Sequence, residues 1–457
     1  MFTLDDILQG TQGQLDPASG ALAMTGLGFN RVAVDSRGWL AGALFVPLRG
    51  RYVDGHDFVL DAAGHGARGA LVRSDWKAPE ALPKDVALIR VDDPRSALQR
   101  LALWWRARHS ARIIAVTGAT GTTGPTCQVL ASTLSTRFPT LAPDTQPEGE
   151  TGVLLSLLQL AEHHQMAVLG MVLPAGSFAD SVKVLCDLIR PDALVLTSAE
   201  LDGMDDLWAC LPEATPVILH ADAPAAQEQA HQPLPARHAV LTFGLAEGCD
   251  IQATDIESHG YQGVHFTLRM ARTQQEWRVR LPLFGHYSVH GALAAAGAAI
   301  AVGMDADEVI AALHAMNSEI RLLVVPGHNG CTLIDDTYSS SPASMIAALN
   351  LLQDMPGRRL ALFGGSLERM GNPQEGYLKV ARRASVVTQR LVALGSLGLL
   401  IGQEALRVGM APERVFFAAD HNQAMEYLRR VIKPADYVLV KGSRALQLDA
   451  VVNALKA

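Results

Sequence analysis

The sequence predicts an α/β fold in three domains, from two patterns and from its length. Short apolar runs alternate with longer helical stretches along most of the chain, which is typical of parallel strands joined by crossover helices. One of these runs ends in a loop rich in glycine and threonine that leads into a helix, as is common at the edge of a parallel sheet. A chain of 457 residues is too long for one hydrophobic core. The predicted domains are residues 1–110, 111–317 and 318–457.

The first predicted domain mixes short apolar runs with turns rich in glycine and aspartate. The runs are typical of strands in a small α/β domain. A helix predicted from Pro94 to Arg108 ends this domain, with basic residues in its last turn. The predicted strands are Ala43–Leu48, Gly69–Val72 and Val86–Val91.

The second predicted domain begins with a strand, a glycine-rich loop and a helix, and continues with buried strands that indicate a parallel sheet. Two later stretches alternate apolar and polar residues and predict an antiparallel annex. The alanine-rich stretch Ala292–Met304 is shorter than the about 20 residues that span a bilayer, so it predicts a buried helix. The strands are Ile113–Val116, Ala167–Leu173, Ala193–Thr197 and Val217–His220, and the annex is Gly260–Leu268 and Trp277–Leu281.

The third predicted domain again alternates strands and helices, which predicts a second open parallel sheet. Its predicted helices include Ala343–Leu352 and Asn422–Val431. The predicted strands are Thr332–Asp335, Leu360–Phe363, Leu391–Leu394 and Tyr437–Val440.

Composition excludes several classes of protein. A net charge of -8 and a pI near 6.0 argue against nucleic-acid binding and against a basic membrane-surface patch. The first 20 residues lack the basic and apolar pattern of a secretory signal, so we expect a cytoplasmic protein without membrane insertion. The five cysteines are scattered and form no CxxC pair, which favours buried free thiols over a disulfide framework.

The first candidate site is the loop from Thr117 to Gly124, between a strand and a helix. Backbone N–H groups and a helix N-terminus in this arrangement can hold phosphate oxygens. A working phosphate-binding loop adds a lysine after its last loop glycine, and here that position is a threonine. A glycine-rich turn without a ligand is the alternative. The candidate residues are Thr117, Gly118, Gly121, Thr122 and Thr123.

The second candidate site lies in the first domain. Arg37 carries a planar guanidinium that suits an anionic group, and Asp35 and Ser36 precede it. Asp54 and His56 flank a glycine in a loop where polar side chains can converge. Turn formation and a surface ion pair are the alternative for these residues.

The third candidate site follows two strands of the third domain. Asp335, Asp336 and Tyr338 come at the end of one predicted strand, where ligands bind in open parallel sheets. Lys441, Ser443 and Arg444 follow another and suit a phosphate or carboxylate. Capping of the helix that follows is the alternative for the first group, and a plain N-cap at Ser443 with two solvated cations is the alternative for the second.

No metal site is predicted. The histidines His286, His290, His314 and His328 show no metal-ligand spacing with a cysteine or a carboxylate pair. They are interpreted as structural or surface residues.

Three stretches resemble the Mur ligases of bacterial cell-wall synthesis, in particular the members that add D-alanyl-D-alanine to a UDP-muramoyl-peptide. They are residues 35–58 with Asp35-Ser36-Arg37, residues 333–345 with Asp335-Asp336-Thr337-Tyr338, and residues 440–444 with Lys441-Gly442-Ser443-Arg444. The resemblance implies a UDP-sugar-binding N-terminal domain, a central P-loop-like ATPase domain and a Rossmann-like C-terminal domain. It implies ATP and magnesium as cofactors, Arg321 at the nucleotide phosphate, and Lys441 and Arg444 near the incoming amino acid.

The second domain departs from the pattern of that family. The loop lysine is replaced by Thr122, and the magnesium-binding glutamate falls on Gly170. The family's metal-binding histidine is absent from residues 197–201, and no lysine lies between Asp202 and Pro212, where the family carries a carbamylated one. The adenine-side asparagines become Ser288 and Gly291, and those after Tyr338 become Ser339 and Ser341. These departures predict weakened ATP and magnesium binding.

Three hypotheses of function follow. The first is a Mur-ligase-like pseudoenzyme that holds a UDP-muramoyl-peptide or an analogue, with an active Mur ligase or another cell-wall enzyme as partner. The alternative is an active ATP-dependent ligase that adds D-alanyl-D-alanine, or another amino acid or peptide, through an acyl phosphate. A weaker third hypothesis is a non-catalytic sensor of a nucleotide or UDP-sugar.

Overall fold

The fold is given by a computed structural model. Its described residues form two compact units, and each unit is built on its own. Unit 1 contains Met1–Val116, Arg137–Leu194 and Asp202–Thr215, and unit 2 contains Thr117–Thr136, Val195–Leu201 and Pro216–Ala457. The structure describes residues 1–17, 27–50, 53–118, 122–142, 149–172, 186, 188–197, 208–222, 239–259, 263–283, 286–316, 323–337, 340, 342–353, 355–365, 374–442 and 446–456.

The N-terminal part of unit 1 contains a two-stranded sheet, formed by its first and third strands, a five-stranded sheet and helices. Its strands are β1 (Phe2–Thr3), β2 (Gln14–Leu15), β3 (Gly28–Phe29), β4 (Arg31–Ala33), β5 (Ala43–Phe45), β6 (Gly69–Arg73) and β7 (Ala87–Val91). Its helices are α1 (Leu4–Thr11), a 3-10 turn (Gly55–Phe58), α2 (Val59–Gly64) and α3 (Pro94–Ala107). The sheet order is β2-β7-β6-β5-β4, and its pairs are parallel except for β2 with β7. The three strands and the helix predicted for this region are confirmed.

Helix α3 shows how local sequence sets an element of this part. The carboxylate of Asp93 accepts hydrogen bonds from the backbone N–H and the hydroxyl of Ser96, both at 2.8 Å, which satisfies a free donor of the first turn. Pro94 in that turn costs no hydrogen bond. At the other end, the indole N–H of Trp105 donates to the carbonyl of Leu160 at 3.0 Å, which ties the helix to the middle part of the chain.

The middle of the chain contributes strands to both units. These are β8 (Arg112–Gly118), β9 (Thr140–Leu141), β10 (Met166–Val172), β11 (Ala193–Leu196), β12 (Val217–His220), β13 (Val240–Gly244), β14 (Ile251–Ser258), β15 (Val264–Met270) and β16 (Gln275–Leu281). The helices are α4 (Thr123–Ser135), α5 (Gly149–Leu157), α6 (His286–Ala301) and α7 (Ala306–His314). In unit 1, β9 pairs with β10 in parallel. In unit 2, β12, β13 and β14 are parallel neighbours, and β15 and β16 extend them in antiparallel fashion, as predicted for the annex.

Helix α6 is the buried helix that the alanine-rich stretch predicts. Ala292, Leu293 and their neighbours along it have no exposed surface. Glycines on this helix allow close packing: a Cβ built on Gly297 would lie 3.0 Å from side-chain carbons of Ile218 and Ile251. Among the described residues, no helix is long and apolar enough to cross a membrane.

The C-terminal part of unit 2 is a six-stranded sheet with helices on both faces. Its strands are β17 (Leu323–Pro326), β18 (Thr332–Asp336), β19 (Arg359–Gly364), β20 (Arg390–Leu394), β21 (Val415–Ala418) and β22 (Tyr437–Gly442). Its helices are α8 (Pro342–Gln353), α9 (Gln374–Val387), α10 (Gly395–Arg407), α11 (His421–Val431) and α12 (Asp449–Leu455), with 3-10 turns at His328–Gly330 and Pro412–Arg414. The order is β17-β18-β22-β19-β20-β21, with only β17 antiparallel.

The two faces of this sheet carry separate cores, because successive side chains of a strand point to opposite faces. On β19, Ala361 and Phe363 join the core under α8, α9 and α10. Leu360 and Leu362 join the core under α11 and α12. The four strands and two helices predicted for this region are confirmed, and so is the α/β fold class. The predicted domain boundaries after residues 110 and 317 remain predictions.

Candidate functional sites at the strand ends

The glycine- and threonine-rich loop joins the end of β8 to the start of α4, and its described residues form a hydroxyl network. The hydroxyls of Thr122 and Thr197 lie 2.7 Å apart. The Thr197 hydroxyl also donates to the carbonyl of Thr117 at 3.3 Å. Thr123 is fully buried, and Gly118 has a φ of 148°, which favours glycine. Gly121 lies outside the described residues.

This loop fits phosphate groups in part. The N-terminus of α4 offers backbone N–H groups and the favourable end of a helix dipole. The position of the family's lysine carries the neutral hydroxyl of Thr122, which is hydrogen-bonded to Thr197. On β10, the position of the family's magnesium-binding glutamate is Gly170. The N-terminus of α4 therefore offers donors for phosphate oxygens, and Thr122 beside it carries a neutral hydroxyl. Residues 198–207 lie outside the described residues.

Ser288 and Gly291, where the resemblance implies adenine-side asparagines, lie on α6. Ser288 is buried. Gly291 faces α4, since a Cβ built there would lie 3.7 Å from the hydroxyl oxygen of Thr126. A methyl group at residue 291 would therefore make only ordinary van der Waals contacts with α4.

In unit 1, Asp54 and His56 belong to one hydrogen-bonded network with Arg73. The Nδ1 atom of the buried His56 lies 2.7 Å from Asp54 Oδ1. Its Nε2 accepts the backbone N–H of Arg73 on β6 at 3.1 Å, so the ring proton sits on Nδ1 and donates to Asp54. The guanidinium of Arg73 donates to Asp54 Oδ2 at 3.1 Å. His56 therefore joins the 3-10 turn to β6.

The charge on Asp54 is stabilised by this network. The backbone N–H of His56 donates to the carboxylate at 3.0 Å, and the His56 and Arg73 side chains add further hydrogen bonds. Together they outweigh the effect of burial and lower the pKa of Asp54 to about 2.

Asp35 and Arg37 pair with each other at the end of β4. The Arg37 Nε donates to Asp35 Oδ1 at 2.7 Å, and the Arg37 backbone N–H donates to the same oxygen at 3.0 Å. The hydrogen bond and the charge of Asp35 raise the pKa of Arg37. Both side chains are more than half exposed, while Ser36 between them is buried. The arrangement leaves an exposed, pre-oriented guanidinium.

In the C-terminal sheet, β18 and β22 bring Asp336 and Lys441 together as register partners. The Lys441 ammonium donates to Asp336 Oδ2 at 2.7 Å, and the lysine side chain is fully buried. Asp335 instead accepts the backbone N–H and the hydroxyl of Thr337, at 3.2 and 2.9 Å. The other four candidates of this site lie outside the described residues; they are Arg321, Tyr338, Ser443 and Arg444.

A further cluster was missed by the sequence analysis. His220 ends β12, Asp222 follows two residues later, and His290 lies in the second turn of α6. Asp222 Oδ2 is 3.1 Å from His220 Nε2 and 2.6 Å from His290 Nε2. The sequence analysis interprets His290 as a structural or surface histidine, and the structure shows that it contacts Asp222. The available signal was the pattern His-x-Asp at the end of a buried strand.

The pKa values in this cluster favour a charged carboxylate beside a neutral imidazole. Burial alone would raise the pKa of Asp222, but the backbone N–H of Ala246 and both histidines lower it to about 2. Burial lowers the pKa of His220.

Two regions of the chain match models of known protein families. Residues 29–106 match the family model for the Mur ligase family, catalytic domain. Residues 320–444 match the model for the Mur ligase, glutamate ligase domain.

Two similar sequences carry the name UDP-N-acetylmuramoyl-tripeptide--D-alanyl-D-alanine ligase. The protein of Bacillus subtilis (strain 168) is 28% identical over 444 residues, which cover 93% of this chain and 92% of the relative. The protein of Escherichia coli (strain K12) is 29% identical over 458 residues, which cover 96% and 97%.

Solved structures show the same fold. MurF from Acinetobacter baumannii (crystal structure II) aligns with a TM-score of 0.76 at 24% identity, over 99% of this chain and 98% of that one. The MurF ligase from Thermotoga maritima in complex with ADP aligns with a TM-score of 0.67 at 20% identity, over 94% and 98%. The chain is therefore similar to Mur ligases in its N-terminal and C-terminal regions, which match models of that family, and in its fold.

Proposed function

We propose that the protein is a MurF-type ligase, which uses ATP to join the amine of an amino acid or dipeptide to the carboxylate of a UDP-muramoyl-peptide. The observation that carries this proposal is similarity along nearly the whole chain to two ligases of that name. Of the three hypotheses from the sequence, the active ligase agrees best with the names of these relatives.

Each domain has a role in this proposal. Arg37 at the surface of the first domain binds the diphosphate of the UDP-sugar, since its guanidinium is exposed and held in place by Asp35. In the third domain, Asp336 holds the buried Lys441 at the carboxyl edge of the sheet. That lysine positions the strand ends around the incoming amine.

The central loop binds the nucleotide. Bound ATP supplies the phosphoryl group that activates the substrate carboxylate as an acyl phosphate, and a related structure was solved with ADP. The N-terminus of α4 and the Thr123 hydroxyl are the groups of this chain that would hold phosphate oxygens. Thr122 offers no positive charge, and loss of one preorganised stabilising group costs about 100- to 1000-fold in rate. We therefore expect slow turnover.

A second candidate function is a pseudoenzyme that binds the UDP-muramoyl-peptide without turnover. The specific observation in its favour is the pair of replacements at Thr122 and Gly170. A partner cell-wall enzyme and a cytoplasmic location, both expected from the sequence, remain predictions for either candidate.

One assay separates the two candidates. The full chain is incubated with UDP-N-acetylmuramoyl-tripeptide, D-alanyl-D-alanine, ATP and magnesium, and both released phosphate and the ligated product are measured by colorimetry and mass spectrometry. An active ligase gives equal amounts of both, slowly, and Thr122→Lys raises the rate by about 100-fold. Thr273→Lys adds the same charge at an exposed hairpin turn and should leave the rate unchanged.

The contrary result is equally defined. If the wild type and Thr122→Lys both bind the UDP-peptide but neither releases phosphate, the ligase proposal is wrong and the pseudoenzyme stands. If neither binds the UDP-peptide, both candidates fail.

A further inference from the structure

His220, Asp222 and His290 place three metal-ligating groups in one location of unit 2. Their donor atoms all lie within 4.8 Å of one another. The rings of His220 and His290 meet edge to face, with centroids 4.9 Å apart. We propose that these three residues bind a divalent transition metal ion such as Zn²⁺. This site does not depend on the proposed ligase function.

The geometry is close to what a metal ion needs. Zinc binds histidine nitrogen and carboxylate oxygen at about 2.0–2.2 Å with tetrahedral angles, which places the donor atoms about 3.3 Å apart. His220 Nε2 is already 3.1 Å from Asp222 Oδ2. His290 Nε2, at 2.6 Å from the same oxygen, needs only a small side-chain rotation to open this distance.

The carboxylate is held by its other oxygen. Asp222 Oδ1 accepts the backbone N–H groups of Leu245 and Ala246, at 2.5 and 3.0 Å. This arrangement requires glycine at the end of β13, because a Cβ on Gly244 would lie 2.1 Å from Asp222 Oδ1. Hydrogen bonds of this kind, made to the ligand and not to the metal ion, orient metal-binding carboxylates. Oδ2 is thereby directed toward the two imidazoles.

The donor set selects the class of metal. Two imidazoles and one carboxylate suit zinc, iron, nickel or copper, whereas magnesium and calcium prefer oxygen ligands alone. The three side chains are 25%, 26% and 29% exposed, so they are held by the fold and still reachable from solvent. A metal ion bound by three protein groups keeps a position for water or another ligand.

The contacts of Asp222 agree with cation binding. Its carboxylate accepts two backbone N–H groups at Oδ1 and lies next to two imidazoles at Oδ2, so its negative charge is directed at the proposed site. Without a metal ion, the same oxygen accepts one N–H from each histidine. When the ion binds at Nε2, each ring proton moves from Nε2 to Nδ1 through solvent, and these two hydrogen bonds are lost.

The site also lies beside the helix of the glycine- and threonine-rich loop. Helix α6 carries His290. A Cβ built on the next residue, Gly291, would lie 3.7 Å from the hydroxyl oxygen of Thr126 on α4. Helix α6 therefore carries one of the proposed metal ligands and also packs against α4, the helix that follows the loop.

The test is metal titration of the untagged, chelator-treated full chain. Calorimetry with Zn²⁺ should give one saturable site per chain, and Co²⁺ should give a visible d–d absorption without the charge-transfer band of thiolate ligands. Replacing a residue that hydrogen-bonds to a metal ligand lowers the affinity for the metal ion by about 10- to 100-fold. His220→Ala and His290→Ala remove ligands and should each lower the Zn²⁺ affinity by more than about 100-fold.

Two controls make the result specific. His259→Ala removes an exposed histidine that lies 3.4 Å from Glu257 and should leave the affinity unchanged. Excess Mg²⁺ should not displace Co²⁺. Circular dichroism of the metal-free variants checks that each is folded. Absence of saturable Zn²⁺ binding, or unchanged affinity in either folded histidine variant, overturns the proposal.

Discussion

Lys441 is a fully buried cation, which a protein interior holds only when the charge is paired. Its ammonium lies 2.7 Å from Asp336, on the neighbouring strand of the sheet. Removing one partner of a buried ion pair leaves an uncompensated charge and costs about 3–5 kcal/mol. At this residue, stability and the proposed function depend on the same contact.

We expect Lys441→Met and Asp336→Asn each to lower the free energy of unfolding by about 3 kcal/mol. The double variant should lose less than the sum, because no charge is then left alone. Urea unfolding of the four proteins measures the coupling. The exposed pair Arg278–Glu257 is the control, with an expected coupling below about 1 kcal/mol. Strict additivity at Lys441 and Asp336 would contradict the stabilising role.

Asp54 predicts a pH dependence of stability. Its pKa is lowered in the folded protein from 3.8 to about 2, so the unfolded state binds the proton more readily. The stabilisation is therefore complete above pH 3.8 and is lost as the pH falls toward about 2. Asp54→Asn should destabilise the protein at pH 6 and lose this effect at low pH, as urea unfolding at several pH values would measure.

The control for that series is Asp75→Asn. Asp75 also contacts Arg73, at 3.1 Å, but it is 79% exposed, so its replacement should change stability little at any pH. A pH-independent effect of Asp54→Asn would mean that its charge does not contribute.

At the scale of elements, close helix–sheet packing in the C-terminal part depends on a missing side chain. Gly398 on α10 faces the sheet, where a Cβ would lie 2.6 Å from the Phe363 carbonyl oxygen and 3.0 Å from the Ala393 carbonyl carbon. These neighbours are backbone atoms of β19 and β20, which cannot turn away. The helix therefore approaches the sheet as closely as it does because residue 398 is glycine.

We expect Gly398→Ala to destabilise the protein by about 1–3 kcal/mol, the usual cost of overpacking. Gly64→Ala is the matched control, since Gly64 ends α2 with nothing within 4 Å of a built Cβ. That change should be neutral or stabilise by up to about 1 kcal/mol. Thermal and urea unfolding of both variants measure the difference, and equal effects would refute the packing argument.

At the scale of the whole molecule, the proposed substrate should stabilise the folded chain by mass action. A ligand present at about 100 times its dissociation constant adds about 2.7 kcal/mol, so UDP-muramoyl-peptide should raise the melting temperature. Arg37→Gln should reduce the affinity by about 10- to 100-fold, since a hydrogen bond to a charged group contributes about 1.5–3 kcal/mol.

Differential scanning fluorimetry over a ligand series measures this shift. Arg269→Gln replaces an arginine of similar exposure on the antiparallel annex and should keep the full shift. A shift that Arg37→Gln leaves intact would remove Arg37 from the proposed UDP-sugar site.

The sequence by itself determined the α/β class, the strands and helices of the C-terminal sheet, and the position of the loop before α4. These features are local, because hydrophobic periodicity and glycine-rich turns act over a few residues. The sequence also shows that Thr122 stands where the resemblance implies a lysine, because the neighbouring glycines mark this position of the loop.

Only the tertiary structure decided which distant side chains meet. Lys441 reaches Asp336, 105 residues away, because β22 inserts between β18 and β19. His290 reaches Asp222, 68 residues away, because Gly297 lets α6 pack closely against β12. Strand order and helix packing depend on the total burial of apolar surface, which no short sequence window contains.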